Sequence, residues 1–142
     1  MIRHLGLKAY GKINLGLDVL GKREDGYHEV RMIMQTVGLY DKIDLYLKET
    51  PGITVETNLY YLPVNENNLV YKAAKLLMDE FHINHGVTIH LKKFIPVSAG
   101  MAGGSSDAAA VLFGVNKMFN LGLSMEDLMK RGVKIGADVP YC

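Results

Sequence analysis

Alternation of apolar and polar positions dominates the first half of the chain. Over residues 7–20, Ala9, Gly11, Ile13, Leu15 and Leu17 hold one parity while Tyr10, Lys12 and Asn14 hold the other. That pattern predicts a strand with one polar face, from which Lys12 and Asn14 project together. Residues 21–26 form a polar turn, and residues 27–37, rich in Val, Ile, Met and Thr, resume an extended pattern. Ile43, Leu45 and Leu47 then alternate with Lys42, Asp44 and Tyr46, and residues 53–57 repeat the pattern after Pro51-Gly52. Two further antiparallel strands are expected there.

The period changes after the loop-like residues 58–67. Leu69, Ala73, Leu77 and Phe81 recur at helical spacing behind Asn68, which has the side chain of an N-cap. Residues 86–95 read as another strand. Residues 108–119 read as a helix with Val111, Leu112, Val115, Met118 and Phe119 on its buried stripe, and Leu121-Gly122-Leu123 ends that segment. Ser124-Met125-Glu126-Asp127 opens a last helix with an approximate capping box and a stripe of Leu128, Met129 and Val133. The methionines read as core filler. The resulting fold class is α+β, with an antiparallel or mixed sheet of about five strands and about three helices.

Composition narrows the class only slightly. A chain of 142 residues with 49% hydrophobic and 22% charged residues is long enough for one domain with its own core. Its formal charge of +1 gives no global attraction to nucleic acid or to anionic lipid, so any anion site is local. Cys142 is the only cysteine, which excludes an intrachain disulfide and fits a cytoplasmic protein. No apolar run approaches the ~20 residues of a membrane span, so no membrane partner is expected. His82, His85 and His90 lack a carboxylate in a recognisable ligand pattern and read as surface residues; no protein metal site is expected.

The candidate chemistry lies between the strand over 86–95 and the following helix. Pro96-Val97-Ser98-Ala99-Gly100-Met101-Ala102-Gly103-Gly104-Ser105-Ser106-Asp107 has small side chains at a strand-to-helix turn. There, consecutive backbone N–H groups and the helix's unpaired first-turn donors can hold a phosphate. The P-loop motif is excluded because no lysine follows Gly103-Gly104, and the dinucleotide fingerprint is excluded by the spacing of Gly100, Gly103 and Gly104. A flexible linker or a tight helix entry is the plain alternative.

The stretch Pro-x-x-x-Gly-x-x-Gly-Gly-Ser-Ser-Asp-Ala-Ala, from Pro96, resembles the central motif of the GHMP small-molecule kinases, with Ser98 and Ala102 where that family usually has glycine. Four more segments share the resemblance: Ala9 to Leu15, Arg23 to His28, Glu66-Asn67-Asn68-Leu69, and Gly136-Ala137-Asp138-Val139-Pro140. The likeness is greatest to the branch acting in isoprenoid precursor synthesis. It implies ATP-dependent phosphorylation of the 2-hydroxyl of 4-diphosphocytidyl-2-C-methylerythritol.

In the roles the resemblance carries over, Lys12 and Asp138 are catalytic. Pro96, Gly100, Met101, Ala102, Gly103, Gly104, Ser105 and Ser106 hold the phosphates of ATP, and Asn68 approaches its adenine, although a plain N-cap is the other reading of that residue. Asn14, Tyr27, His28 and Asp138 meet the substrate, the tyrosine by stacking on the cytosine and the histidine by hydrogen bonding to it. Mg²⁺ is expected with ATP, the partners are ATP and a cytidine-diphosphate-linked polyol, and homodimer formation stays open. Residues 1–142 correspond to the amino-terminal, ATP-binding domain of such a kinase. A second domain is expected after Cys142, and the 142 residues alone are expected to be inactive. Two other readings stay open: a GHMP kinase acting on mevalonate or homoserine, and a non-catalytic anion- or RNA-binding domain of the same fold.

Overall fold

The computed structural model describes residues 1–10, 40–95, 103–136 and 139. Strands β1 (His4–Tyr10), β2 (Tyr40–Lys48), β3 (Gly52–Thr57) and β4 (Gly86–Lys92) form a four-stranded sheet in the order β1-β2-β4-β3. Helices α1 (Leu69–Glu80), α2 (Gly103–Met118) and α3 (Met125–Gly132) complete the described elements. The α+β class and its three helices agree with the hydrophobic pattern. Four strands stand where about five are expected, because the strand expected over 27–37 and most of that over 7–20 lie outside the described residues.

The alternation along each strand has the expected faces. Ile43 and Leu45 of β2 and Val87, Ile89 and Leu91 of β4 are buried, while Lys42 and Tyr46 point to the open face. The buried face is covered by Val70, Ala73, Ala74, Leu77 and Met78 of α1 and by Ala108, Val111, Leu112, Val115 and Met118 of α2, which share one core with the strands. Burial of this apolar face is the main driving force for the two-layer arrangement.

Strand pairing corrects one expectation. β2 and β3 are not neighbours, since β4 lies between them, antiparallel to β2 (Ile43↔Leu91) and parallel to β3 (Val55↔Ile89). β4 presents Val87, Ile89 and Leu91 to the core at 2% exposure or less and takes an interior position, with α1 bridging β3 to its parallel partner. The β2–β3 connection must then close over the start of β4, at Gly86. A Cβ there would lie 2.3 Å from the Thr50 carbonyl oxygen and 2.6 Å from that of Gly52, so the crossing requires glycine.

Helix boundaries follow their caps. Asn68 Oδ1 accepts the Val70 N–H at 3.0 Å and starts α1. In α3, Ser124 Oγ accepts the Asp127 N–H and Asp127 Oδ2 accepts the Ser124 N–H, both at 3.1 Å, which completes the expected capping box. Its expected stripe is corrected: only Leu128 is buried, whereas Met129 is 44% exposed and Val133, which is the C-cap beyond the last helical residue, is 62% exposed. Met118 fills the core as expected; Met125 and Met129 do not. α2 begins at Gly103, earlier than the apolar stripe suggests, because Ser106 and Asp107 are tied to other elements and hold the glycine-led first turn in helical form.

Among the described residues, no helix is long and apolar enough to cross a membrane.

Candidate functional site

Of the residues singled out in the sequence, Lys12, Asn14, Tyr27, His28, Pro96, Gly100, Met101, Ala102 and Asp138 lie outside the described residues. Asn68, Gly103, Gly104, Ser105 and Ser106 are described. Gly103 to Ser106 form the first turn of α2, whose leading N–H groups have no intrahelical acceptor. Asn68 and Gly104 meet at one cavity of about 190 Å³ between the start of α1 and the start of α2. Ser106 turns away from it. Its hydroxyl donates to the Tyr10 carbonyl at 2.6 Å and ties α2 to the end of β1, beside a separate apolar cavity of about 330 Å³ under α3.

Three charged residues not expected at the site adjoin this turn. Asp41, Lys93 and Asp107 are 0%, 8% and 1% exposed. Lys93 Nζ donates to Asp41 Oδ2 at 2.6 Å and to Asp107 Oδ2 at 2.8 Å. Asp41 Oδ1 also accepts the backbone N–H groups of Phe94 at 2.7 Å and Ile95 at 2.9 Å. Asn58 then pairs with both backbone groups of Lys93, its Oδ1 accepting the N–H at 2.8 Å and its Nδ2 donating to the carbonyl at 3.2 Å. The backbone leading into residues 96–102 is held from two sides, while Lys93 reaches across to the helix that follows them. Asp107 Oδ1 is buried and has no hydrogen-bond partner among the described residues.

The signal for this cluster was present in strand parity. Asp41 shares the inward parity of Ile43 and Leu45, and Lys93 that of Val87, Ile89 and Leu91. Opposite charges on the buried parity of two strands are costly unless paired.

The surroundings divide the two carboxyls. Burial works to raise the pKa of Asp41, but the Asp107 carboxyl beside it and hydrogen bonds from the Ile95 N–H, Lys93 and the Phe94 N–H outweigh it and hold Asp41 below the ordinary carboxylate value. Burial is also the largest influence on Asp107, reinforced by the neighbouring Asp41 and only partly offset by Lys93, and it pushes Asp107 up to about 8. For Lys93, burial opposes the charged form, yet the two carboxyls prevail and raise its pKa. The two carboxyls are thus pushed apart, Asp41 toward its charged form and Asp107 toward its protonated one.

The cavity beside this cluster is shaped by Leu62, Pro63, Leu69 and Leu91, with Asn67, Asn68, Lys93, Gly104 and Asp107 as its polar positions. The cavity sets these apolar side chains beside the glycine-led first turn of α2, the kind of helix start that can hold an anion. Asn68 is already engaged in the fold: besides capping α1, its Nδ2 donates to the Pro63 carbonyl at 3.0 Å. Among the described residues, no group of three or more His, Cys, Asp or Glu is placed to hold a metal ion.

The chain belongs to the GHMP kinase family: the family described as GHMP kinases N terminal domain matches residues 68–142, which include α1, β4, α2 and α3. Within the family, it is 64% identical over 138 residues to the 4-diphosphocytidyl-2-C-methyl-D-erythritol kinase of Lachnoclostridium phytofermentans, covering 97% of this chain and 47% of the relative. It is 61% identical over 136 residues to the enzyme of that name from Lachnospira eligens, covering 96% of this chain and 47% of the relative. The chain thus spans about half the length of these curated relatives. A crystal structure of 4-(cytidine 5'-diphospho)-2C-methyl-D-erythritol kinase superposes with a TM-score of 0.62 at 26% identity, covering 96% of this chain and 48% of that one. Homoserine kinase from Cytophaga hutchinsonii shares the fold, with a TM-score of 0.63 at 20% identity over 68% of this chain and 32% of that one.

Proposed function

We propose that this chain is the ATP-binding, amino-terminal domain of a kinase that transfers the γ-phosphoryl group of ATP to the 2-hydroxyl of 4-diphosphocytidyl-2-C-methylerythritol. The observation that carries the reading is the cavity joining Asn68 to the glycine-led start of α2, in a chain 64% identical to an enzyme named for that substrate. The base of ATP occupies the apolar slot between Leu62, Pro63, Leu69 and Leu91, and its phosphates lie toward Gly103 and Gly104 and the motif residues Pro96, Gly100, Met101, Ala102, Ser105 and Ser106. Lys12 and Asp138 act on the hydroxyl, the aspartate orienting or deprotonating it and the lysine easing the charge that develops. Asn14, Tyr27 and His28 receive the cytidine end of the acceptor.

Phosphoryl transfer depends on alignment and charge neutralisation more than on covalent help from the protein. Mg²⁺ supplies part of that neutralisation when bound.

The test is ADP release by the full-length protein with 4-diphosphocytidyl-2-C-methylerythritol, mevalonate and homoserine as separate acceptors. Release with the first acceptor alone, lost in Asp138→Ala and Lys12→Ala, is expected. Preference for either of the other two would overturn the substrate.

A further inference from the structure

Just past the first turn of α2 stands a side chain that is hard to reconcile with an anion site: an aspartate. Asp107 lies one turn into the helix, and helical side chains lean back over the turn that precedes them, here Gly103 and Gly104. It lines the same cavity as Gly104 and Asn68. An ionised carboxylate there would repel a phosphate held by the helix N-terminus, yet the position is 1% exposed and cannot be screened by water.

The geometry of the cluster resolves this conflict. One ammonium, Lys93, serves two buried carboxyls. Asp41 is saturated as an anion, with Oδ2 on Lys93 and Oδ1 on two backbone N–H groups. Among the described residues, Asp107 accepts a hydrogen bond from Lys93 through Oδ2, with the Asp41 carboxyl beside it, and its Oδ1 is buried without a partner. The charge of Lys93 is thus matched by Asp41, and an Oδ1 without a donor of its own is the natural place for a proton. The remaining described groups facing Asp107 from α1 and the chain before it, Asn68 and Leu69, carry no charge.

We propose that Asp107 works as a neutral, protonated carboxyl, supported by the Asp41–Lys93 pair, and that its free Oδ1 donates a hydrogen bond to the phosphate chain of the nucleotide at the start of α2. This rests on the ATP-binding reading above and adds a donor to it. The direction and size of the Asp107 shift, up to about 8, agree with the assignment. Lys93, whose pKa is raised, stays charged over the same range.

The experiment is calorimetric binding of ATP and of adenosine to the full-length protein between pH 7 and pH 9, with Asp107→Asn alongside. A carboxyl titrating near 8 loses about nine-tenths of its protonated form by pH 9, so wild-type affinity for ATP should fall about tenfold across the range. Adenosine, which lacks the acceptor, should bind with no such fall. Asp107→Asn keeps a neutral donor of the same shape and should bind ATP as tightly as wild type at pH 7, with the tenfold fall abolished. ATP's own ionisation acts on both proteins equally and cancels in the comparison. A wild-type affinity for ATP that is flat with pH, or an equal fall with adenosine, overturns the proposal while leaving ATP binding intact. Absence of ATP binding by wild type at every pH overturns the function proposed above together with this assignment. The wild-type profiles decide the matter even if the variant does not fold.

Discussion

Replacing Lys93 by methionine removes the ammonium shared by two carboxyls that are almost wholly buried. Methionine fills a similar volume, so the loss is mainly electrostatic. Two charge-assisted hydrogen bonds of 2.6 and 2.8 Å disappear, and Asp41 is left as a buried anion with two backbone N–H groups and Asp107 for company. Removing one partner from a buried ion pair typically costs about 3–5 kcal/mol, and that is the expected loss at pH 7.

The dependence on pH has a definite sign. In wild type, Asp41 has a depressed pKa, so the stability it contributes is present above its ordinary value of 3.8 and is lost as pH falls through the folded value. In Lys93→Met the folded value rises above 3.8, so Asp41 costs stability at pH 7 and is relieved as the acid protonates. Between pH 7 and 4 only the second effect operates, because the wild-type contribution persists down to 3.8, and it narrows the gap between the two proteins as pH falls. Urea unfolding followed by circular dichroism at pH 7, 5.5 and 4 measures it. A loss under about 1 kcal/mol at pH 7, the range of an exposed pair, would refute the claim that the ammonium is structurally required. A gap that stays constant with pH would refute the electrostatic account.

Gly86→Ala and Gly114→Ala form a contrasting pair. The first sets a Cβ 2.3 Å from the Thr50 carbonyl oxygen and should cost about 2–3 kcal/mol or more in urea unfolding, whereas the second meets Leu45 Cδ1 at 2.5 Å and Leu7 Cδ1 at 2.7 Å, side-chain ends that can rotate, and should cost less. Equal losses would contradict the distinction between backbone and side-chain obstruction. Asn68→Ala removes the α1 cap and the bond to Pro63, for an expected loss of about 1–2 kcal/mol, of which Asn68→Asp should restore the capping share; failure of that rescue would count against the cap. Ser106→Ala cuts the 2.6 Å tie to the Tyr10 carbonyl and should cost about 1 kcal/mol in thermal unfolding, and an unchanged midpoint would show that water replaces the hydroxyl.

What the sequence disclosed depended on the range of each interaction. The inward faces of β2 and β4, the cap at Asn68 and the capping box at Ser124 are local patterns, and they were legible because period and neighbouring side chains determine them. The order of the strands was not, since alternation in residues 53–57 says which face is buried but nothing about the strand alongside. The early start of α2 was hidden for a related reason: its first turn depends on Tyr10 and Lys93, which are distant in sequence. The Gly-Ser motif pointed to the start of α2, yet Asp41 and Lys93 beside it were passed over. Both stood on an apolar parity, and asking why a charge should share the side of Ile43 or Leu91 would have found them.

The insertion of β4 between β2 and β3 also constrains the order of events as the chain is made. Among the described residues β3 pairs with β4 alone, so the ladder that holds it cannot begin until α1 and β4 have both emerged. At the ~5–20 residues per second of synthesis, that interval is on the order of seconds, during which β2 and β3 present open edges and the apolar side chains of Ile43, Leu45 and Val55. The α1 segment, translated before β4, is the part of the chain available to shield them. Mutations that weaken α1 should therefore lower the yield of soluble protein by more than their effect on equilibrium stability accounts for, because they prolong the period in which a half-built sheet can meet another copy of itself.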